Sequence, residues 1–331
     1  MIFKRFSGVI AERIFFYFCL TATIVALIVS GIVPTLDGPA HVYNAHVTDY
    51  IVSGNKFISS YYTLSKAPSP NYVDHYLLAL FSSFLSFDWA EKLMQIICVT
   101  GFAVFFRRLV WQFNPLGIGL SVFGIPFAFT MLFYLGFYNF CLSFSILFAV
   151  VIYYNKWFSN SAENPLLYRY IILSLLTLLL YFTNGLAFLF AGFISGMFEI
   201  VAVLPLIRKK VVAPGKYIVL KRLVMFAIVW LPGLLLFACF MKNMPNYADS
   251  ADHKFAELVG WIPMVRPLVV YTGDDSEYTN LFFYAMLVAL GTAILIRVRN
   301  KTIFRFTVSD VFLFAFLLHW YAILQCPMEQ V

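Results

Sequence analysis

Apolar runs of 17 to 25 residues recur along this 331-residue chain, and no other feature restricts its architecture as much. A run of that length matches the hydrocarbon thickness of a bilayer, where every backbone polar group must be satisfied within the protein. Composition agrees, with 62% hydrophobic and only 12% charged residues, whereas soluble domains carry about a quarter charged residues. The pattern predicts an all-α polytopic membrane protein. The net charge of +7 would suit a nucleic-acid partner if the basic residues shared one face. They sit instead in short clusters between the runs, which orients helices and excludes nucleic acid as a partner. Cys19, Cys98, Cys141, Cys239 and Cys326 are isolated, with neither CxxC spacing nor a disulfide framework.

Charge placement sets the expected topology. The N-terminal run follows Lys4, Arg5 and Arg13. It is too long for a signal-peptide core and lacks a clean small-residue exit, so it reads as an uncleaved anchor. The predicted spans are about 14–34, 92–106, 115–133, 138–155, 166–183, 185–206, 223–241, 281–296 and 310–326. The apolar stretch 72–87 is short and flanked by Asp74, His75, Asp88 and Glu91. If it stays outside, 17 of the 23 basic residues fall on the inner side, as the positive-inside rule demands. If it crossed, the basic cluster between Arg208 and Arg222 would face outward. The expectation is therefore about nine spans, N-terminus in and C-terminus out. Two external loops follow, 35–91 with juxtamembrane helices and 242–280, and no second domain. These arrangements place 12 of the 16 acidic residues outside.

The first loop opens with Leu36-Asp37-Gly38-Pro39-Ala40-His41-Val42-Tyr43-Asn44. Asp37, His41, Asn44 and Thr48 are spaced four, three and four apart, so on a helix they share a face. Gly38-Pro39 suits a helix start. Ionisable groups at a bilayer edge mark a functional site by default, although Asp37 also suits plain helix capping and His41 an interfacial position. The loop 244–280 contains His253, Trp261, Tyr271, Asp274 and Asp275 and is long enough for a lid, or simply a solvated acidic loop. Gly136-Phe137-Tyr138-Asn139 and Thr183-Asn184-Gly185 fall at external turns. Glu199 and His319 lie inside spans, each without a partner legible from the sequence. Asn300-Lys301-Thr302 is a sequon on the inner side, where it would stay unmodified.

A first span, an external loop opening on Asp, an amphipathic helix and a Pro-containing loop before a short external helix together resemble the GT-C glycosyltransferase superfamily. Pro70-Asn71-Tyr72-Val73-Asp74-His75-Tyr76-Leu77-Leu78-Ala79-Leu80-Phe81, followed by Phe87-Asp88-Trp89-Ala90-Glu91-Lys92-Leu93, is similar to the protein mannosyltransferase and aminoarabinose transferase branch. Phe105-Phe106-Arg107-Arg108-Leu109 resembles that branch's exit into the cytoplasm. The resemblance spans roughly residues 1–240. It implies a polyprenyl-phosphate-type lipid-linked sugar donor, transfer to an acceptor on the external face, and a catalytic role for Asp37, which matches the family's first-loop acid. The family's second acid has no counterpart in the turn Leu135-Gly136-Phe137-Tyr138-Asn139. A divalent cation, which prefers more than one carboxylate, is therefore possible as a cofactor but has no second acidic residue to support it.

On this reading Asp37 is the general base, with His41 and Asn44 positioning it. Lys66, His75, Lys92 and Arg266 are candidates to receive the leaving phosphate, and Tyr138 and Asn139 line the substrate region. The expected setting is a bacterial inner (cell) membrane. Other classes consistent with the pattern are a transporter or lipid flippase-like protein, a non-catalytic membrane subunit, and an acyltransferase using His319. The absence of repeated halves and the scarcity of mid-membrane charges weigh against a transporter. The end at Cys326-Pro327-Met328-Glu329-Gln330-Val331, just past a span, leads to the expectation of a fragment lacking an acceptor-binding C-terminal region.

Overall fold

The computed structural model describes residues 2–31, 33–64, 67–158, 166–208, 213–243 and 276–300. Among the described residues the regular structure is entirely helical. The helices are α1 (Ile2–Val29), α2 (Gly38–Val52), α3 (Lys56–Ser59), α4 (Val73–Ser82), α5 (Phe87–Phe113), α6 (Met131–Tyr134), α7 (Tyr138–Phe158), α8 (Leu167–Thr183), α9 (Gly185–Arg208), α10 (Ala213–Asn243) and α11 (Ser276–Arg299). Five of them contain stretches long and apolar enough to cross a bilayer, Ile10–Val29, Phe87–Phe113, Tyr138–Phe158, Gly185–Val203 and Val219–Asn243. The chain is an integral, multi-pass membrane protein. Its span helices turn large apolar side chains outward, among them Ile14, Phe18, Leu186 and Leu235, as a lipid-facing surface requires.

The chain between α5 and α7 departs from the expected α-helical span. It forms a 3-10 segment, Pro115–Gly124, then a short second one, Pro126–Ala128, before α6. Ten residues of 3-10 structure is unusual, because its hydrogen-bond geometry is poorer than that of an α-helix. Pro115, Gly117 and Gly119 all disfavour α-helix. The chain from 115 to 135 nevertheless returns along α5 to the end of the bundle that holds Asp37. A Cβ on Gly124 would meet Phe106 near one end of that helix. At the other end the Leu36 and Asp37 N–H groups donate to the Tyr134 and Leu135 carbonyls, both at 2.9 Å.

Polar contacts pin the bundle at both ends. At one end Arg107 of α5 forms a two-pronged ion pair with Glu12 of α1. Its Nη2 donates to Oε2 at 2.8 Å, and Nη1 also donates to Ser121 Oγ at 3.0 Å. On the same level, Glu199 of α9 meets Arg222 of α10. Arg222 Nε donates to Oε1 at 2.7 Å and Nη2 to Oε2 at 2.8 Å, while Tyr154 of α7 donates its hydroxyl to Oε2 at 2.6 Å. Glu199 thus has the partner that its own span could not reveal. His319 and the span 310–326 lie outside the described residues.

Small residues let α9 and α10 approach. Gly192 and Gly196, one turn apart, face Trp230 and Phe226, the small-xxx-small arrangement by which lipid-embedded helices pack closely. At the opposite end from Arg107, Lys92 is buried and donates to the Ile28 carbonyl at 3.0 Å. It thereby satisfies one of the orphan carbonyls of the α1 C-terminus. Beside it the loop 67–72 is fastened to the α8–α9 turn. Tyr181 donates its hydroxyl to the Pro68 carbonyl at 2.8 Å, and the Tyr72 N–H donates to the Phe182 carbonyl at 2.9 Å.

Over this end lie α2 and α4, packed on one another. With ten residues, α4 is about 15 Å long by its rise per residue and too short to span. Tyr43, Tyr50, Phe57, Tyr61, Tyr76, Phe84, Phe87 and Trp89 are all exposed around it. A ring of Tyr and Trp is the usual mark of the membrane–water interface.

Candidate functional site

The N-terminus of α2 holds Asp37. Gly38 and Pro39 occupy the first helical positions, as expected, and Asp37 takes the N-cap place. Its side chain makes no cap hydrogen bond, so the carboxylate is not consumed in capping. Half-buried, it has no ion pair or side-chain hydrogen bond among the described residues.

Its backbone is fixed by Gly136. That residue has φ +84°, a conformation L side chains avoid, and a Cβ there would sit 2.5 Å from the Gly38 nitrogen. Gly136→Ala is therefore expected to cost about 2 kcal/mol or more, combining left-handed strain with a backbone clash. A thermal melt in detergent checks this, and a wild-type melting point would contradict it.

Gly38 carries a second steric constraint. A Cβ at Gly38 would lie 2.0 Å from both Glu91 Oε1 and Thr35 Oγ1. Thr35 donates to Glu91 Oε1 at 3.0 Å, Tyr138 donates its hydroxyl to the same oxygen, and Gln95 Nε2 donates to the Tyr138 oxygen at 3.0 Å. Tyr138 is fully buried in this network. Its role is to hold Glu91 and the α1–α2 link in place, not to line a substrate surface as the sequence suggested. Asn139, half-buried at the start of α7, accepts the Phe140 N–H on its Oδ1 at 2.8 Å. Lys92, occupied at the end of α1, is removed from the set of phosphate-binding candidates.

The neighbouring cluster is the feature that sequence reasoning passed over. His41 of α2 meets Asp74 and His75 of α4, with His41 Nδ1 3.6 Å from Asp74 Oδ2 and the two imidazole rings 4.9 Å apart at 31°. The ligand-type atoms of the three residues all lie within 4.8 Å of one another. Asp74 has no solvent exposure because it shares the buried face of α4 with Leu78 and Phe81, at helical spacing. Both of its carboxylate oxygens lack a hydrogen-bond partner among the described residues, as do His41 Nδ1 and His75 Nδ1.

Burial pushes the Asp74 carboxyl above its usual pKa. The two imidazoles and the N–H groups of the first turn of α4 pull the other way, without making a hydrogen bond of acceptable geometry. Burial also pushes the His41 imidazole below its ordinary value, against the upward pull of Asp74, Asp37 and Glu91. The phase of Asp74 with Leu78 and Phe81 was the available signal, since a carboxylate stands where the stripe calls for an apolar residue.

Two recesses adjoin these groups. One is a groove lined by Asn44, Thr48, Tyr62, Tyr72, His75 and Tyr76, with Val47, Ile51, Thr63 and Leu64 at its margins. The other is an apolar hollow formed by Pro34, Thr35, Leu36 and Tyr134. Asp37, His41, Asn44 and His75 are thus gathered at one end of the bundle, while Lys66, Arg266 and most of the loop 242–280 lie outside the described residues. Comparison with family models, curated proteins and solved structures returns no match.

Proposed function

We propose that the chain is a membrane glycosyltransferase that moves a sugar from a polyprenyl-phosphate-type lipid donor to an acceptor at the external face, with Asp37 as general base. The observation that carries this reading is the half-buried Asp37 carboxylate at the interfacial end of the bundle, without an ion pair or side-chain hydrogen bond among the described residues. It stands between Leu36 of the apolar hollow and the α2 helix that forms one wall of the polar groove. The hollow suits an isoprenoid chain that stays in contact with lipid. The groove supplies the hydroxyl, amide and imidazole groups that a sugar and its phosphate need.

In the reaction Asp37 takes the proton of the acceptor hydroxyl or amine as that atom bonds to the anomeric carbon. The bond from that carbon to the phosphate oxygen breaks, and the lipid phosphate leaves with the electron pair. One displacement by one base inverts the anomeric configuration. Of the candidate groups for the leaving phosphate, His75 is the one that lies on the groove wall.

The experiment is to incubate purified protein in lipid with a panel of sugar-loaded polyprenyl phosphates and follow release of the lipid phosphate. Release with inverted product supports the reading. Failure to turn over any lipid-linked sugar, combined with saturable passage of donor or sugar across the membrane, would replace it with the carrier reading.

A further inference from the structure

We propose that His41, Asp74 and His75 form a binding site for a zinc-class transition metal ion. The proposal rests on their geometry and not on the transfer reading. A fully buried carboxylate with neither oxygen hydrogen-bonded costs several kcal/mol unless something compensates it. Here the Nδ1 atoms of both imidazoles are also buried and unpartnered among the described residues, and ligand-type atoms of the three residues lie within 4.8 Å of one another. A shared proton between His41 and Asp74 would satisfy two of these atoms and leave the other imidazole bare. A dication satisfies a nitrogen from each ring and the carboxylate together.

The donor chemistry selects the metal class. Two imidazoles and a carboxylate suit zinc and its neighbours, whereas magnesium and calcium prefer oxygen throughout. Metal–ligand distances of about 2.0–2.2 Å place ligand atoms about 3.4 Å apart in a tetrahedral site. The cluster, with all its ligand atoms inside 4.8 Å, needs only small side-chain rotations to close on an ion. Three protein ligands leave a fourth position open, the pattern of reactive rather than purely structural zinc. Because His75 belongs to both the cluster and the groove wall, an oxygen ligand such as water or phosphate arriving through the groove would fill it.

The test uses the full chain in detergent, stripped with a chelator and titrated with cobalt(II). One equivalent should bind and give the intense visible absorption of tetrahedral cobalt, which zinc then erases. Asp74→Asn and His75→Ala should each weaken uptake by about a hundredfold or more. His46→Ala, on the same helix but outside the cluster, should bind as wild type. Should the cluster variants fail to fold, X-ray absorption of the zinc-loaded wild-type protein decides: two imidazoles with oxygen donors are expected. A wild-type protein that takes up no metal saturably would overturn the proposal. So would uptake unchanged in folded Asp74→Asn and His75→Ala, or a sulfur shell from the cysteines.

Discussion

Replacing Asp37 by asparagine is expected to lower sugar transfer by about a hundred- to ten-thousand-fold, the usual contribution of a positioned general base. The melting point should stay near that of the wild-type protein. This separation is possible because the Asp37 side chain carries no structural duty: it makes no cap hydrogen bond, and its neighbours are held by the backbone contacts of residues 36 and 37. Asparagine preserves shape and the ability to occupy an N-cap, and removes only the capacity to accept a proton as an anion. Donor binding should persist, so kcat falls while KM changes little. Undiminished turnover in the variant would remove Asp37 from the chemistry. A large loss of stability would assign it a structural role instead.

The largest stability effect is expected far from that site, at the ion pair between α9 and α10. Glu199 and Arg222 are both buried, and Arg222 also donates to the Phe158 carbonyl. Arg222→Ala leaves a carboxylate deep in the bundle with only the Tyr154 hydroxyl to face it. Breaking a buried pair in this way costs about 3–5 kcal/mol. Replacing both partners, Glu199→Gln with Arg222→Met, should be less damaging than Arg222→Ala, because no uncompensated charge remains. Thermal melts of the three proteins in one detergent give the comparison. An Arg222→Ala variant melting with the wild type would show that the pair adds nothing.

The elements legible in the sequence were those governed by local rules. The apolar runs announced α1, α5, α7, α9 and α10, and Gly38-Pro39 announced where α2 begins, because length and backbone chemistry act within a segment. The run 115–133 reads as one more span by hydropathy, although Pro115, Gly117 and Gly119 disfavour α-helix, and weak α propensity alone does not specify the 3-10 form it takes. Groups whose roles depend on another helix were not legible. Glu199 finds Arg222 only when α9 and α10 pack, and Lys92 finds the end of α1 only when α5 lies beside it. Asp74 and Glu91 come to the end of the bundle that holds Asp37 only when α4 and α5 pack against α2. A one-dimensional comparison of turn residues could not anticipate that. The spacing of Asp37 and His41 put them on one helical turn, as the backbone bond between them shows, whereas the contacts of Tyr138 with Glu91 and Gln95 depend on another helix and left no trace in its own turn.

The most direct test of the account is the side of the membrane on which the groove along α2 opens. A single cysteine introduced as Asn44→Cys, in a chain whose five native cysteines are replaced by alanine or serine, would sit on the exposed wall of that groove. In intact cells a membrane-impermeant maleimide should label it without permeabilisation, and a polyprenyl-phosphate sugar should slow the labelling. Labelling only after the inner face is opened would place the carboxylate on the wrong side of the bilayer and contradict the account.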